Sequence, residues 1–386
     1  MFKINPKEKF RLFKQTKHFC AVPWGHLHVR ENGEIYSCSK TDRIMLGHLQ
    51  ENSITEIISN HKRNDLKIQI LNDQLTSNCT SCYEAENEGN GEDQYGFVRA
   101  EYNKLLSSND VDYYNINEFV LGSLDLHWSS VCDLKCVTCW SEQSSSIAKE
   151  QGLKVRHTPT EYALKLIDWI IVNQLTLKEV YLSGGEPTLI KYNLNLLRKL
   201  DKRNDLLIRI NSNMMWDQSN QIVQEVLKFP NVIFTCSADD ISDRFDYIRR
   251  GASWEKFLEN VKFLTKFKNV DIRINSVFHV MNAFTITDTI DFFANELNLN
   301  NFTINRCLMG HTYLRCRNLP DHLKVIVKEK INTAFTKYQN NLNLAGQFNN
   351  CLTELSQLRT ENFQPYLNKI DQIAGTNWKQ TFKELT

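Results

Sequence analysis

Three cysteines, Cys132, Cys136 and Cys139, sit at x3 and x2 spacing in "SSVCDLKCVTCWSEQSS", residues 129 to 145. Thiolates are soft ligands that select zinc, copper(I) or iron–sulfur clusters. A closed structural zinc site takes four protein ligands, and this loop holds no fourth Cys or His. A 4Fe–4S cluster on three thiolates instead leaves one iron open to an outside ligand. A second set lies nearer the start: Cys20, Cys38, and the knuckle Cys79-x2-Cys82. Four cysteines with such a knuckle suit either a cluster or a zinc ribbon. His26 and His28 fall on one face of a strand and could also ligate, although strand histidines more often pack or are solvated. Cys236, Cys307, Cys316 and Cys351 are scattered and read as buried thiols.

The elements that must hold these residues follow from periodicity. Alternating residues around Asn32-Gly33 in "HLHVRENGEIYSC" predict a hairpin. The polar, glycine-bearing stretches "EAENEGNGEDQYG" and "SSNDVDYYNIN" mark a boundary between 84 and 118. Beyond it, short apolar runs predict strands at 120–128, 179–183, 206–210, 232–237, 271–280 and 302–307. Helical periodicity fills the gaps at 192–202, 218–228, 253–267 and 284–297. Thr158 with Glu161 reads as a capping box, with Pro159 at the first helical position. Strands alternating with helices imply a parallel sheet, closed naturally as a partial or complete βα barrel. The cysteine loop then follows the first barrel strand, at the end where such folds build active sites. "SGGEPT" (183–188), "NSNMM" (211–215) and "SADD" (237–240) follow the next three.

With 386 residues the chain exceeds the roughly 250–300 at which a single core stops growing, so a large domain plus a smaller module is expected. Forty-one per cent apolar residues support a substantial core, and a net charge of +1 gives no global pull toward nucleic acid or anionic lipid. No run resembles a signal peptide or a membrane span, which predicts a cytoplasmic protein. In that reducing setting eleven cysteines point to metal ligands and spare thiols, not disulfides.

From about 120 to 310 the sequence resembles the radical S-adenosylmethionine (radical SAM) superfamily, whose defining C-x3-C-x2-C loop is matched by Cys132, Cys136 and Cys139. The resemblance implies an α/β fold: a partial (β/α)6 TIM-like barrel preceded by a cysteine-rich module and followed by C-terminal helices. It divides the chain into 1–115, 116–320 and 321–386. It also implies that the three thiolates hold a 4Fe–4S cluster whose free iron chelates S-adenosylmethionine (SAM). Gly184, Gly185, Glu186 and Pro187 look like the segment that meets the methionyl amino group. Asn213 falls where a ribose contact is common, Ser237 and Asp239 resemble the strand-four signature, and Arg249 in "YIRRG" is favoured over Arg250 as the cofactor arginine. Asn275 and Asn282 are further polar residues at a strand end. Thr138 stands where an aromatic residue is usual, and "SADD" lacks the usual glycine.

Cys20, Gly33 and Cys38 fit the C-x(9–15)-G-x4-C pattern of twitch (SPASM-type) auxiliary domains, here placed before the barrel. That resemblance implies a second 4Fe–4S cluster on Cys20, Cys38, Cys79 and Cys82, with zinc as the alternative. The implied activity is reductive cleavage of SAM to a 5′-deoxyadenosyl radical, which takes hydrogen from a peptide, a sugar or another small molecule. Flavodoxin or ferredoxin is the implied electron donor. A non-catalytic scaffold or electron carrier on the same fold is the alternative.

Overall fold

The computed structural model describes residues 6–39, 44–80, 82–83, 96–305 and 310–386. Among them nine strands follow the hydrogen-bonded order β3-β2-β1-β4-β5-β6-β7-β8-β9. They are β1 His26–Val29, β2 Glu34–Tyr36, β3 Met45–His48, β4 Ser123–Leu126, β5 Glu179–Leu182, β6 Leu207–Ser212, β7 Asn231–Ser237, β8 Val270–Val277 and β9 Phe302–Asn305. The sheet is open, with β3 and β9 ending the order. All six strands expected from the sequence are present as β4 to β9, each trimmed or shifted by a few residues. The last two residues of the expected 302–307 strand lie outside the described residues.

The chain divides into two compact units. The first takes residues 1–131, 156–210 and 219–233. Here β1 and β2 form the expected hairpin, with Gly33 at φ +92°. Arg30 N–H donates to the Glu34 carbonyl, and Gly33 N–H to the Arg30 carbonyl. That left-handed turn is open to glycine at little steric cost. Unforeseen from any local pattern, β1 also pairs in parallel with β4, His26 opposite Ser123 and Val29 opposite Leu126. The cysteine-bearing hairpin is thereby hydrogen-bonded to the first strand of the parallel array, which continues through β5 and β6.

One expectation fails in this unit. Thr158 does not cap a helix: the helix runs Thr160–Val172 with Pro159 at its N-cap and no side-chain cap. The Thr158 hydroxyl instead donates to the Arg30 carbonyl at 3.4 Å, and the residue is fully buried. A tertiary partner has outbid the local pattern. The helix His61–Leu71 holds a further surprise, since Arg63 and Lys67 are both fully buried. Lys67 donates to the Ile116 and Glu118 carbonyls, and Arg63 lies 4.5 Å over the Phe119 ring.

The second unit takes residues 132–155, 211–218 and 234–386. It contains β8 and β9, paired in parallel with Ile274 opposite Phe302. An aromatic cluster of Phe245, Trp254, Phe257 and Phe293 fills its core, with Trp254 stacked on Phe257 at 5.5 Å. The expected C-terminal helices are Asp321–Lys337, Leu342–Ser356 and Gln364–Ala374. Among the described residues, no helix is long and apolar enough to cross a membrane.

Candidate functional site

In the second unit the loop carrying Cys132, Cys136 and Cys139 is pinned at almost every residue. Three serines at the start of the helix Ser145–Glu150 hold its first half. Ser144 Oγ donates to the Leu134 carbonyl at 2.7 Å, Ser145 Oγ accepts from Cys132 N–H at 3.0 Å, and Ser146 Oγ donates to the Cys132 carbonyl at 2.7 Å. Its middle runs beside the "YIRRG" segment, with Lys135 N–H on the Arg250 carbonyl and Val137 N–H on the Ile248 carbonyl. From the C-terminal region, Tyr366 donates to the Val137 carbonyl and His311 Nε2 bonds the Cys139 carbonyl at 2.7 Å. Gly310 lies so near Trp140 that a Cβ there would stand 2.8 Å from the indole.

Burial raises the Cys136 thiol above its ordinary value and pushes Cys139 up to about 12. At neutral pH the bare thiols are therefore protonated, and a metal centre must displace protons to bind them. Arg249 lies within electrostatic range of all three sulfurs, a fixed cation suited to an anionic centre there. Burial alone would lower the Arg249 value, but Asp239 and then the three thiols more than offset it. Arg249 Nη2 stands 3.0 Å from Asp239 Oδ2, whereas Arg250 turns away to Glu150 at 2.8 Å. Geometry thus separates two arginines that the sequence could rank only by position.

The other expected residues of this unit are partly committed to one another. Asn213 donates to Asp133 Oδ1 at 2.7 Å and accepts from Met215 N–H at 2.9 Å. Met214 between them adopts φ +67°, a left-handed conformation rare outside glycine. Buried Asn260 clamps the strained turn by donating to the Met214 and Trp216 carbonyls. Asp239 accepts from Val277 N–H at 2.8 Å. Asn282 is spent bracing this corner, donating to the Asp239 and Val277 carbonyls and accepting from His279 N–H. Asn275 accepts from Asn305. Ser237, half-buried, ends β7. Sequence reasoning missed His279. It is fully buried, both ring nitrogens lack a partner among the described residues, and it lies in range of Asp239 and Arg249. Burial pushes its value down to about 4, so the ring is neutral.

In the first unit Gly184, Gly185, Glu186 and Pro187 are laid along the exit of β4. Gly185 N–H bonds the Ser129 carbonyl at 3.1 Å and Glu186 N–H the Val131 carbonyl at 2.7 Å. A Cβ on Gly185 would stand 2.3 Å from the Val131 carbonyl oxygen and 2.6 Å from that of Ser130; Gly184 has φ +122°. Passing backbone therefore accounts for both glycines. The buried Glu186 carboxylate caps the short turn Pro187–Leu189, accepting from Thr188 N–H and Oγ1. Gly185→Ala is expected to cost about 1–3 kcal/mol, the usual range for overpacking, because fixed backbone must move. Urea unfolding checks this, and an unchanged midpoint would show that the strand exit is softer than its contacts indicate.

Cys20, Cys38, Cys79 and Cys82 also belong to this unit, all as free thiols. Cys20 is raised well above the ordinary thiol value, by burial first and then by Cys79, Cys38 and Cys82. The four sulfurs thus share one electrostatic neighbourhood although their residues span most of the hairpin module. Among the described residues no three His, Cys, Asp or Glu side chains are gathered tightly enough to chelate a single ion. His26 and His28 turn elsewhere, His26 Nδ1 to Ser123 Oγ at 2.7 Å and His28 Nδ1 to Asp125 Oδ2 at 3.0 Å. Cys236, Cys316 and Cys351 are buried, and Cys307 lies outside the described residues.

Comparison with known proteins fits this geometry. Residues 126–293 match the radical SAM superfamily model, and residues 20–83 match the SPASM iron–sulfur cluster-binding domain. Residues 126–293 are thus a radical SAM domain, preceded by a SPASM domain over residues 20–83. 4Fe–4S clusters and SAM are accordingly its cofactors. A GTP 3′,8-cyclase of Peptoclostridium acidaminophilum is 25% identical over 167 residues, covering 42% of this chain and 48% of the cyclase. The chain thus matches about half of that relative's length. Among solved structures, anSMEcpe with bound AdoMet aligns with TM-score 0.43 and 16% identity over 58% of this chain and 60% of that one. Streptococcus suis SuiB bound to its precursor peptide SuiA aligns with TM-score 0.42 and 15% identity, over 81% and 69%.

Proposed function

We propose that the protein is a radical SAM enzyme in which Cys132, Cys136 and Cys139 hold the SAM-binding 4Fe–4S cluster. When bound, reduced cluster and SAM supply a 5′-deoxyadenosyl radical that takes a hydrogen atom from the substrate. The observation carrying this reading is the pinned three-cysteine loop with the Arg249 guanidinium in electrostatic range of all three sulfurs. That fixed cation balances the anionic centre and keeps its surroundings preorganised. Asn213, Ser237 and Asp239 shape the neighbouring strand ends. Gly184, Gly185, Glu186 and Pro187 form the segment assigned to the cofactor's amino group.

Cys20, Cys38, Cys79 and Cys82 would hold the auxiliary cluster, which would supply a site for oxidising or binding the substrate. The working division of the chain is 1–115 for the auxiliary module, 116–320 for the core and 321–386 for the C-terminal helices. Peptides, sugars and other small molecules are the candidate substrates. A cytoplasmic flavodoxin or ferredoxin supplies the reducing electron. The test is anaerobic: protein reconstituted with iron and sulfide, then given SAM and dithionite, forms 5′-deoxyadenosine. If it forms none while carrying a full complement of cluster iron, the catalytic reading fails.

A further inference from the structure

The two ends of the cysteine loop are held in different ways. Ser144, Ser145 and Ser146 anchor Cys132 and Leu134 from within fourteen residues. Val137 and Cys139 are met instead by Tyr366 and His311, 229 and 172 positions away in the chain. All of these residues belong to the second unit. The segments that bring the distant donors are themselves stapled together. Fully buried Asn318 donates to the Thr312 and Tyr313 carbonyls at 2.9 and 3.2 Å, while its Oδ1 accepts from Thr360 and Glu361 N–H, both at 3.0 Å. The Thr312 hydroxyl adds a bond to the Glu361 carboxylate at 3.1 Å. The rings of His311, Tyr313 and Tyr366 then pack as a trio, with centroids 4.9 Å apart for His311 and Tyr366 and 4.7 Å for the two tyrosines.

The acceptors decide the hydrogen-bond roles. A carbonyl oxygen only accepts, so His311 Nε2 carries its proton toward Cys139. Burial lowers the His311 value and leaves the ring neutral, so Nδ1 is bare and accepts from the Tyr313 hydroxyl. Tyr313 thereby fixes the tautomer that the Cys139 carbonyl requires. In a planar trans peptide C=O and N–H point opposite ways. Donors that draw the Val137 and Cys139 oxygens toward the trio therefore turn the Thr138 and Trp140 N–H groups away from it, and neither N–H meets a protein acceptor among the described residues. In the first half of the loop, Leu134 N–H already points at a sulfur, Cys132 Sγ, at 3.5 Å.

We propose that His311, Tyr313 and Tyr366 are positioning residues that set the electrical environment of the SAM-binding cluster. By holding two carbonyl oxygens toward themselves they keep negative dipole ends off the sulfurs and leave the N–H groups on either side of Cys139 available to them. Hydrogen bonds to the sulfurs ease addition of an electron, and the groups that orient such donors tune the centre as its ligands do. The role rests on the catalytic reading above, but it concerns reduction before any SAM is cleaved, so the two can fail separately.

The readout is a potential, not turnover. Protein reconstituted anaerobically with iron and sulfide, without SAM, is titrated with dithionite and followed by electron paramagnetic resonance; the signal lost in Cys136→Ala identifies the cluster concerned. Tyr366→Phe keeps the ring and removes one O–H. It is expected to move the midpoint of that signal to a more negative potential and to alter its g-values, at wild-type iron content and with the auxiliary signal unmoved. His311→Ala should do the same, whereas His311→Gln, whose amide can still donate to the Cys139 carbonyl, should recover most of the wild-type potential. If His311→Ala does not fold, Tyr366→Phe and Tyr313→Phe decide the question alone. A midpoint unchanged in both, even with a lower urea-unfolding midpoint, would reduce the trio to packing and overturn the proposal. Survival of every cluster signal in Cys136→Ala would overturn the catalytic reading, and this proposal with it.

Discussion

Replacing Cys136 with alanine is expected to end 5′-deoxyadenosine formation altogether. Two thiolates cannot retain a 4Fe–4S cluster with one iron left open, and nothing else in the pinned loop offers a sulfur. The substitution should spare the loop itself, because its anchors are backbone bonds: Val137 N–H to Ile248, Lys135 N–H to Arg250 and Cys139 N–H to the Cys136 carbonyl. The Cys136→Ala protein should therefore fold, keep the iron and sulfide of its auxiliary site, and lose about half of the total. Chromatographic assay of the reduced, reconstituted variant decides the matter. Turnover at the wild-type rate would remove Cys136 from the cluster and the catalytic proposal with it.

A second large effect is expected at Asp239, where alanine should destabilise the protein by about 3–5 kcal/mol, the cost of breaking a buried ion pair by removing one partner. Asp239 is 1% exposed and Arg249 9%. The variant leaves the Arg249 cation buried without its carboxylate and the Val277 N–H without its acceptor. Asp239→Asn keeps an acceptor oxygen and should lose less. Urea unfolding of both, compared with wild type, measures the difference. A loss below about 1 kcal/mol for Asp239→Ala would mean that the pair is solvated in the folded protein.

Much of this was readable in advance because local rules and tertiary structure agree. The Asn32-Gly33 turn and the six core strands fall where alternation and turn residues put them. The cysteine loop was legible because its three thiols lie close in sequence, whereas the setting of Arg249 depends on partners from elsewhere in the chain. Thr158 was misread because a distant carbonyl, that of Arg30, claims its hydroxyl. Arg63 and Lys67 are charged residues, and only packing against Phe119 and Trp24 reveals their burial.

The parallel pairing of β1 with β4 has a consequence for biosynthesis. Leu27 can find Leu124 only after nearly a hundred further residues have been made. Until then the nascent hairpin leaves the ribosome with an unsatisfied strand edge, the kind of surface that recruits neighbours or chaperones. Maturation of the N-terminal cysteine site is thereby tied to translation of the next segment, and iron insertion before that point would meet an incompletely formed cage.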